Sequence, residues 1–197
     1  MLLFPFTLES VMKKTTIYEL TVCALMTALV CILGPISVPI GPVPVSLTIL
    51  PLLLSVWLLG TRGALITTGL YLLLGAFGLP VFSGYQGGIQ KLLGPTGGYL
   101  VGFLFMVLIA GLIMKACEGH VVFSVLGSLL GILAAYILGT AWFMFQMDCT
   151  LPYALSVCVL PFIPFDIAKA IAAAAIGKPV QSALKKAQLL PETAPRP

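Results

Sequence analysis

The sequence predicts an all-α membrane protein built as a bundle of six transmembrane helices. Its composition is strongly apolar, with 60% hydrophobic and only 8% charged residues among 197, and its mean hydropathy is +1.15. Its apolar runs approach the roughly 20 residues that a helix needs to cross a bilayer. We expect one membrane domain over residues 13–186, an N-terminal extension over 1–12 and a disordered cytoplasmic tail over 187–197.

The predicted helices differ in length. The second, third and sixth are short, so hydropathy alone does not fix the number of spans at six. Pro161 and Pro164 interrupt the apolar region after Leu151, which predicts a packed or re-entrant segment over 151–160 before the last helix. The six apolar runs cover residues 17–33, 46–60, 64–78, 98–115, 121–147 and 164–176.

The basic residues predict the orientation of the bundle. If both termini are cytoplasmic, eight of the ten basic residues lie on the cytoplasmic side, as the positive-inside rule requires. Lys91 then falls in an outer loop and Lys169 near the outer end of the last helix. We therefore predict a multi-pass protein of the cytoplasmic (inner) membrane. No nucleic-acid partner is expected, because these residues flank spans and do not form a groove. The eight residues are Lys13, Lys14, Arg62, Lys115, Lys178, Lys185, Lys186 and Arg196.

The predicted connections differ between the two sides of the membrane. The inner ones are tight, GTRG at 60–63 and ACEGH at 116–120, whereas the outer ones at 34–46 and 79–98 are long and rich in glycine and proline. A third outer element precedes the last helix. Long loops gathered at one end favour a binding mouth, with ordinary connecting loops as the alternative.

Asp166 and Lys169 form the most informative polar pair in the chain. A charge inside a membrane span costs about 2.5–3.5 kcal/mol on insertion scales, so such residues face a partner, a cavity or a ligand. At positions i and i+3 the two side chains share one helix face. They could form a salt bridge that fastens the bundle. Alternatively they could bind a neutral polar group, since a cyclic urea or amide offers N–H donors to the carboxylate and a carbonyl to the ammonium.

The remaining residues favour neither an enzyme nor a metal site. The five cysteines are scattered without a CxxC pair, and His120 is the one histidine, so we expect no metal and no cofactor. No nucleophile–base arrangement is recognisable. GPTGG lacks the spacing of a phosphate-binding loop, so any ATP hydrolysis must come from another protein.

Ala24 and Ala28 place two small residues one turn apart on the first helix. Such pairs let helices approach closely within lipid. The pair could serve packing inside the bundle or the docking of another protein.

Three further motifs occur in order along the chain: GLPVF at 78–82, GPTGGY at 94–99 and PFIPFDIAK at 161–169. With them, residues from about Lys13 to Gln181 resemble the BioY family, the biotin-binding S components of energy-coupling factor (ECF) transporters. The resemblance implies that Asp166 and Lys169 hold the ureido ring of biotin, the transported substrate. It also implies that Ala24 and Ala28 contact a transmembrane coupling protein, which works with two ATPase subunits, although some members are proposed to work alone.

The loop after GLPVF departs from relatives that use an asparagine there, because this chain contains no asparagine. Ser83, Tyr85 or Gln86 would have to take that role. We expect Lys91 to contact the valerate carboxylate of biotin, with a solvated loop lysine as the alternative. Two alternatives remain: an S component for another vitamin, which ligand competition would reveal, and a self-sufficient secondary carrier, which would sustain flux alone in liposomes.

Overall fold

A computed structural model describes residues 17–39, 43–117 and 120–187. Within these ranges the regular elements are helices, apart from one hairpin and one isolated bridge, so the predicted all-α class is confirmed. The expectations for residues 1–16 and 188–197 lie outside the described ranges. The elements are α1 (Ile17–Leu33), β1 (Ser37–Pro39), β2 (Pro44–Ser46), α2 (Ile49–Ala76), α3 (Ile89–Leu93), α4 (Gly97–Ala116), α5 (Val121–Met147), α6 (Leu151–Cys158) and α7 (Ile163–Lys186).

Several helices suit a bilayer by length and composition. Among the described residues α2, α4 and α5 are long and apolar enough to cross a membrane, and α6 with α7 forms a fourth candidate if that pair, bent by 47°, is one span. Large apolar side chains cover the outside of the bundle; Leu25 is 63% and Ile137 62% exposed. Such a surface fits contact with lipid. The chain is therefore a multi-pass membrane protein.

Gly60 divides α2 into two arms that fold back on each other. Its φ of 68° and ψ of −173° are not helical, and glycine reaches that conformation at the least cost. Beyond the bend, Tyr71 lies beside Gly34, and Thr48 at the other end of α2 also approaches the carbonyl of Gly34. A continuous helix would separate Thr48 and Tyr71 by about 35 Å. The predicted four-residue loop at 60–63 is wrong, because helical geometry resumes directly after Gly60.

Small residues bring the helices into close contact. Gly102 of α4 packs against Ala135 of α5, and Gly131 packs against Met106, so these two helices are antiparallel along their length. The last helix α7 is longer than the predicted 164–176. Its Gly177 lies against Trp57 of α2, which makes the two helices neighbours in the core.

One end of the bundle, here called the hairpin end, carries the hairpin and α3. In the hairpin Val38 pairs with Val45 in antiparallel register, and Val45 belongs to a buried apolar cluster that includes Phe143 of α5 and Phe162 next to α7. The long outer loops predicted at 34–46 and 79–98 both contain short regular elements. Local backbone pairing forms the hairpin in the first, and the second contains the short helix α3. As predicted, a separate short element, α6, precedes the last helix.

Candidate functional site

A cavity of about 70 Å³, here called the first cavity, lies inside the hairpin end. Elements distant in sequence enclose it: the hairpin, both arms of α2, the loop before α3, and helices α4, α5 and α7. Its polar and charged lining consists of Ser46, Thr48, Tyr71, Ser83, Lys91, Thr96, Tyr99, Tyr136, Asp166 and Lys169. The site is thus a small chamber with polar groups converging on an otherwise apolar interior.

Asp166 and Lys169 form a buried ion pair in the wall of this cavity. The Lys169 Nζ donates to Asp166 Oδ1 at 2.8 Å, and the two residues are only 2% and 8% exposed. Asp166 stands in the first turn of α7, where the helix dipole favours a carboxylate. Lys169 follows one turn later on the same face, as the spacing predicts.

Tyr136 of α5 completes the arrangement. Its hydroxyl donates to Asp166 Oδ2 at 2.6 Å, so the two carboxylate oxygens of Asp166 have different partners. A carboxylate offers about four acceptor positions and an ammonium three donors. Capacity therefore remains on Asp166 for an additional donor and on Lys169 for an additional acceptor, and both residues face the cavity.

Aromatic and apolar side chains form the rest of the chamber. The Tyr99 hydroxyl lies 3.0 Å from the Thr140 hydroxyl and fixes the aromatic ring against α5. Phe103 and Phe162 add apolar walls, and Val43 closes the side of the hairpin. Such walls suit the apolar part of a ligand whose polar end meets Asp166 and Lys169.

Lys91 lines the cavity from α3, which packs against α2 and α4. Its burial lowers the pKa of the ammonium below the ordinary 10.5, because desolvation disfavours the charged form. The first cavity thus holds two lysines, one paired with Asp166 and one at the rim.

The three residues considered for the missing asparagine are not equivalent. Ser83 lines the first cavity. Tyr85 is 69% exposed and does not line it. Gln86 is exposed, pairs through its backbone with Phe82, and lines a different cavity beside Lys91.

The two small residues of α1, Ala24 and Ala28, do not line this cavity. Ala24 and Ala28 are both exposed, and Leu25 and Ile32 extend the same exposed surface. The described residues contain no group of three or more His, Cys, Asp or Glu side chains that could hold a metal ion.

The sequence did not identify Tyr136, Tyr99 or Thr48 as site residues. Each is a single hydroxyl in an apolar element, and its functional neighbours are distant along the chain. Tyr136, for example, is separated by 30 positions from Asp166. The one available signal in the sequence was a polar hydroxyl, that of Tyr136, within a long apolar span.

Comparisons with known proteins agree on one family. Residues 9–186 match the family model described as the BioY family. A probable biotin transporter BioY from Pyrococcus horikoshii is 39% identical over 83% of this chain and 96% of its own length. The biotin transporter BioY of Thermotoga maritima is 37% identical over 80% of this chain and 92% of its own.

A crystal structure shows the same fold. It is that of the S component for biotin from an ECF-type ABC transporter, with a TM-score of 0.78, 32% identity, and coverage of 90% of this chain and 95% of that chain. The likeness therefore extends over almost the whole helical bundle.

Proposed function

This chain belongs to the BioY family, and we propose that it takes up biotin as the substrate-specific subunit of an ECF transporter, with the vitamin held in the first cavity. A subunit of this kind binds and translocates its substrate and is not an enzyme. The observation that carries the proposal is the buried Asp166–Lys169 pair, which lines a chamber and keeps unused hydrogen-bonding capacity.

The ureido ring of biotin complements that pair. One edge of the ring presents an N–H donor beside a carbonyl acceptor, and the pair presents a carboxylate beside an ammonium. The N–H would donate to Asp166 and the carbonyl would accept from Lys169. Hydrogen bonds that involve an ionised partner are roughly twice as strong as neutral ones. Tyr136 would hold the Asp166 carboxylate in place for this contact.

Ser83 is our assignment for the role of the asparagine used by relatives, because it lines the first cavity. Its hydroxyl can accept the second ureido N–H. Tyr85 and Gln86 lie outside this cavity, so they would reach the ligand only if the loop before α3 rearranged on binding.

The valerate chain would extend past Tyr99 and Phe103 toward the rim. Lys91 stands there as the second cation of the cavity and would contact the terminal carboxylate. A partly buried ammonium interacts more strongly with a carboxylate than an exposed one, because water screens the pair less.

For the membrane arrangement we propose six spans, counting the two arms of α2 separately and α6–α7 as one, within an S-component domain over 13–186. The hairpin end would face outward and both termini inward, in the cytoplasmic membrane. Arg62 beside the α2 bend and Lys115 at the end of α4 lie at the opposite end from the cavity, which supports this orientation.

For the assembly we propose a transmembrane coupling protein and two ATPase subunits. Ala24 and Ala28 would contact the coupling protein, because they form a small-residue patch exposed on α1, and such patches permit close helix approach in lipid. Biotin would enter at the hairpin end, and ATP hydrolysis by the partner subunits would drive the cycle.

The test is titration of biotin into the purified protein in detergent, with Asp166→Asn and Lys169→Ala variants in parallel. We expect tight binding by the parent and its loss in both variants. Competition with thiamine and riboflavin checks the vitamin. A folded parent that binds another vitamin and ignores biotin would overturn the assignment, and biotin binding that survives both substitutions would reduce the pair to a salt bridge.

A further inference from the structure

A second cavity of about 460 Å³ adjoins the first at the hairpin end; it is open to solvent, and Gln86, Gln90 and Pro95 in its lining are exposed. Lys91 and Thr96 line both, so the two cavities meet at the position that we propose for the biotin carboxylate. The second cavity is formed by the loop before α3, by α3 itself and by the turn before α4. With the biotin carboxylate at Lys91, a group attached to its carbonyl carbon would point toward this space.

The wall of this second cavity is anchored to the bundle. The indole Nε1 of Trp142 donates to the Gly94 carbonyl at 2.9 Å, and Gln146 Nε2 donates to the Leu93 carbonyl at 2.7 Å. Both donors belong to α5, which also carries Tyr136. A cavity tied in this way to the same helix as the ligand site keeps a defined position relative to it.

The lining has a specific chemistry. Two side-chain amides, those of Gln86 and Gln90, face the cavity beside the ammonium of Lys91, and none of its lining residues is acidic. An amide side chain both donates and accepts, so this wall can bind a carboxylate and an ammonium close together. The α-amino-acid group carries those two charges.

We propose that the second cavity is a subsite for the amine portion of biotin amides, and that ε-N-biotinyl-lysine is a ligand of this protein. The proposal rests on the proposed function, since it requires the ureido ring at Asp166 and Lys169. The amide carbonyl accepts from Lys91 in place of the carboxylate. The lysine stem then crosses the second cavity, and its α-amino-acid end meets Gln86 and Gln90.

A site closed behind Lys91 would bind ε-N-biotinyl-lysine weakly. If the wall behind Lys91 were continuous, a lysyl substituent would have to displace it, and overpacking of that kind costs about 1–3 kcal/mol or more. Open space behind Lys91 would remove this penalty. Binding of the extended ligand therefore reports whether the cavity is a true extension of the site.

The test is displacement of labelled biotin from the purified protein by biotin, biotin primary amide and ε-N-biotinyl-lysine. Both amides lack the valerate carboxylate of biotin, so their comparison isolates the lysyl group. We expect ε-N-biotinyl-lysine to compete at least as well as the primary amide, with a gain of up to about tenfold from the new hydrogen bonds. Competition weaker than that of the primary amide by about tenfold or more would overturn the proposal.

Gln90→Trp fills the second cavity, while Ile89→Trp adds the same side chain at an exposed neighbour that lines neither cavity. We expect Gln90→Trp to weaken ε-N-biotinyl-lysine by about tenfold or more and to leave biotin unchanged, and Ile89→Trp to alter neither. Equal losses for both ligands in Gln90→Trp would overturn the subsite. Absence of biotin binding by the parent would instead refute the proposed function, and the subsite with it.

Discussion

The hydroxyl of Tyr136 donates to Asp166 Oδ2 at 2.6 Å, on the side of the carboxylate that Lys169 does not occupy. The contact joins α5 to the first turn of α7 inside the bundle. It thereby fixes the carboxylate on both sides before any ligand arrives. Preorganisation of this kind lowers the ordering cost that binding must otherwise supply.

Tyr136→Phe removes that donor and keeps the ring. We expect the ligand-free protein to lose about 1–3 kcal/mol of stability, because a buried carboxylate oxygen is left without its partner. Thermal unfolding in detergent measures the change. Tyr153→Phe is the control, since Tyr153 is 50% exposed and its substitution should leave the midpoint unchanged. Equal midpoints for the two variants would show that the hydroxyl contributes nothing.

The double substitution Asp166→Asn with Lys169→Met separates stability from binding. Lys169→Met alone leaves a buried carboxylate without its cation, and loss of one partner from a buried pair costs about 3–5 kcal/mol. We expect the double variant to recover much of that stability because neither charge remains. Biotin binding should stay lost in both. A double variant that binds biotin like the parent would mean that the pair serves only the fold.

Gly139→Ala tests the aromatic wall. A Cβ at this position of α5 would overlap the ring of Tyr99, so the ring must move and its contact with Thr140 must change. We expect biotin affinity to fall by about fivefold or more, the usual penalty for overpacking. Isothermal titration measures the affinity. Gly69→Ala is the matched control, because a Cβ there meets nothing within 4 Å; equal effects in the two variants would argue against a specific role for the ring.

The helical class and the Asp166–Lys169 pair could be predicted because they depend on local rules. Apolar runs predict helices whatever surrounds them, and residues at i and i+3 share a face in any helix. Tyr136 and Thr48 depend instead on how distant elements pack. The break at Gly60 replaces the predicted loop at 60–63, because a glycine with positive φ can turn the chain by itself.

The pH dependence of biotin affinity tests Lys91. Burial lowers the pKa of its ammonium below 10.5, so the charge is lost at a lower pH than in a fully solvated lysine. Biotin stays anionic, so its affinity should fall as that charge is lost. Biotin primary amide would make the same ureido contacts without the carboxylate. The affinity for biotin divided by the affinity for the amide therefore isolates the contribution of Lys91. We expect this ratio to decline at high pH in the parent and to be smaller and constant in Lys91→Met. A ratio unaffected by the substitution would exclude Lys91 from the carboxylate contact.

Ala24→Leu and Ala28→Leu test the proposed docking surface. Both residues are exposed on α1 and do not line the first cavity, so biotin binding in detergent should remain at the level of the parent. In liposomes that also contain the coupling protein and its ATPases, we expect ATP-dependent uptake to be lost, because a larger side chain prevents close helix approach. Ala175→Leu makes the same change at an exposed position of α7 and should leave uptake intact. Uptake by this chain alone, without ATP and insensitive to the α1 substitutions, would instead favour a self-sufficient carrier.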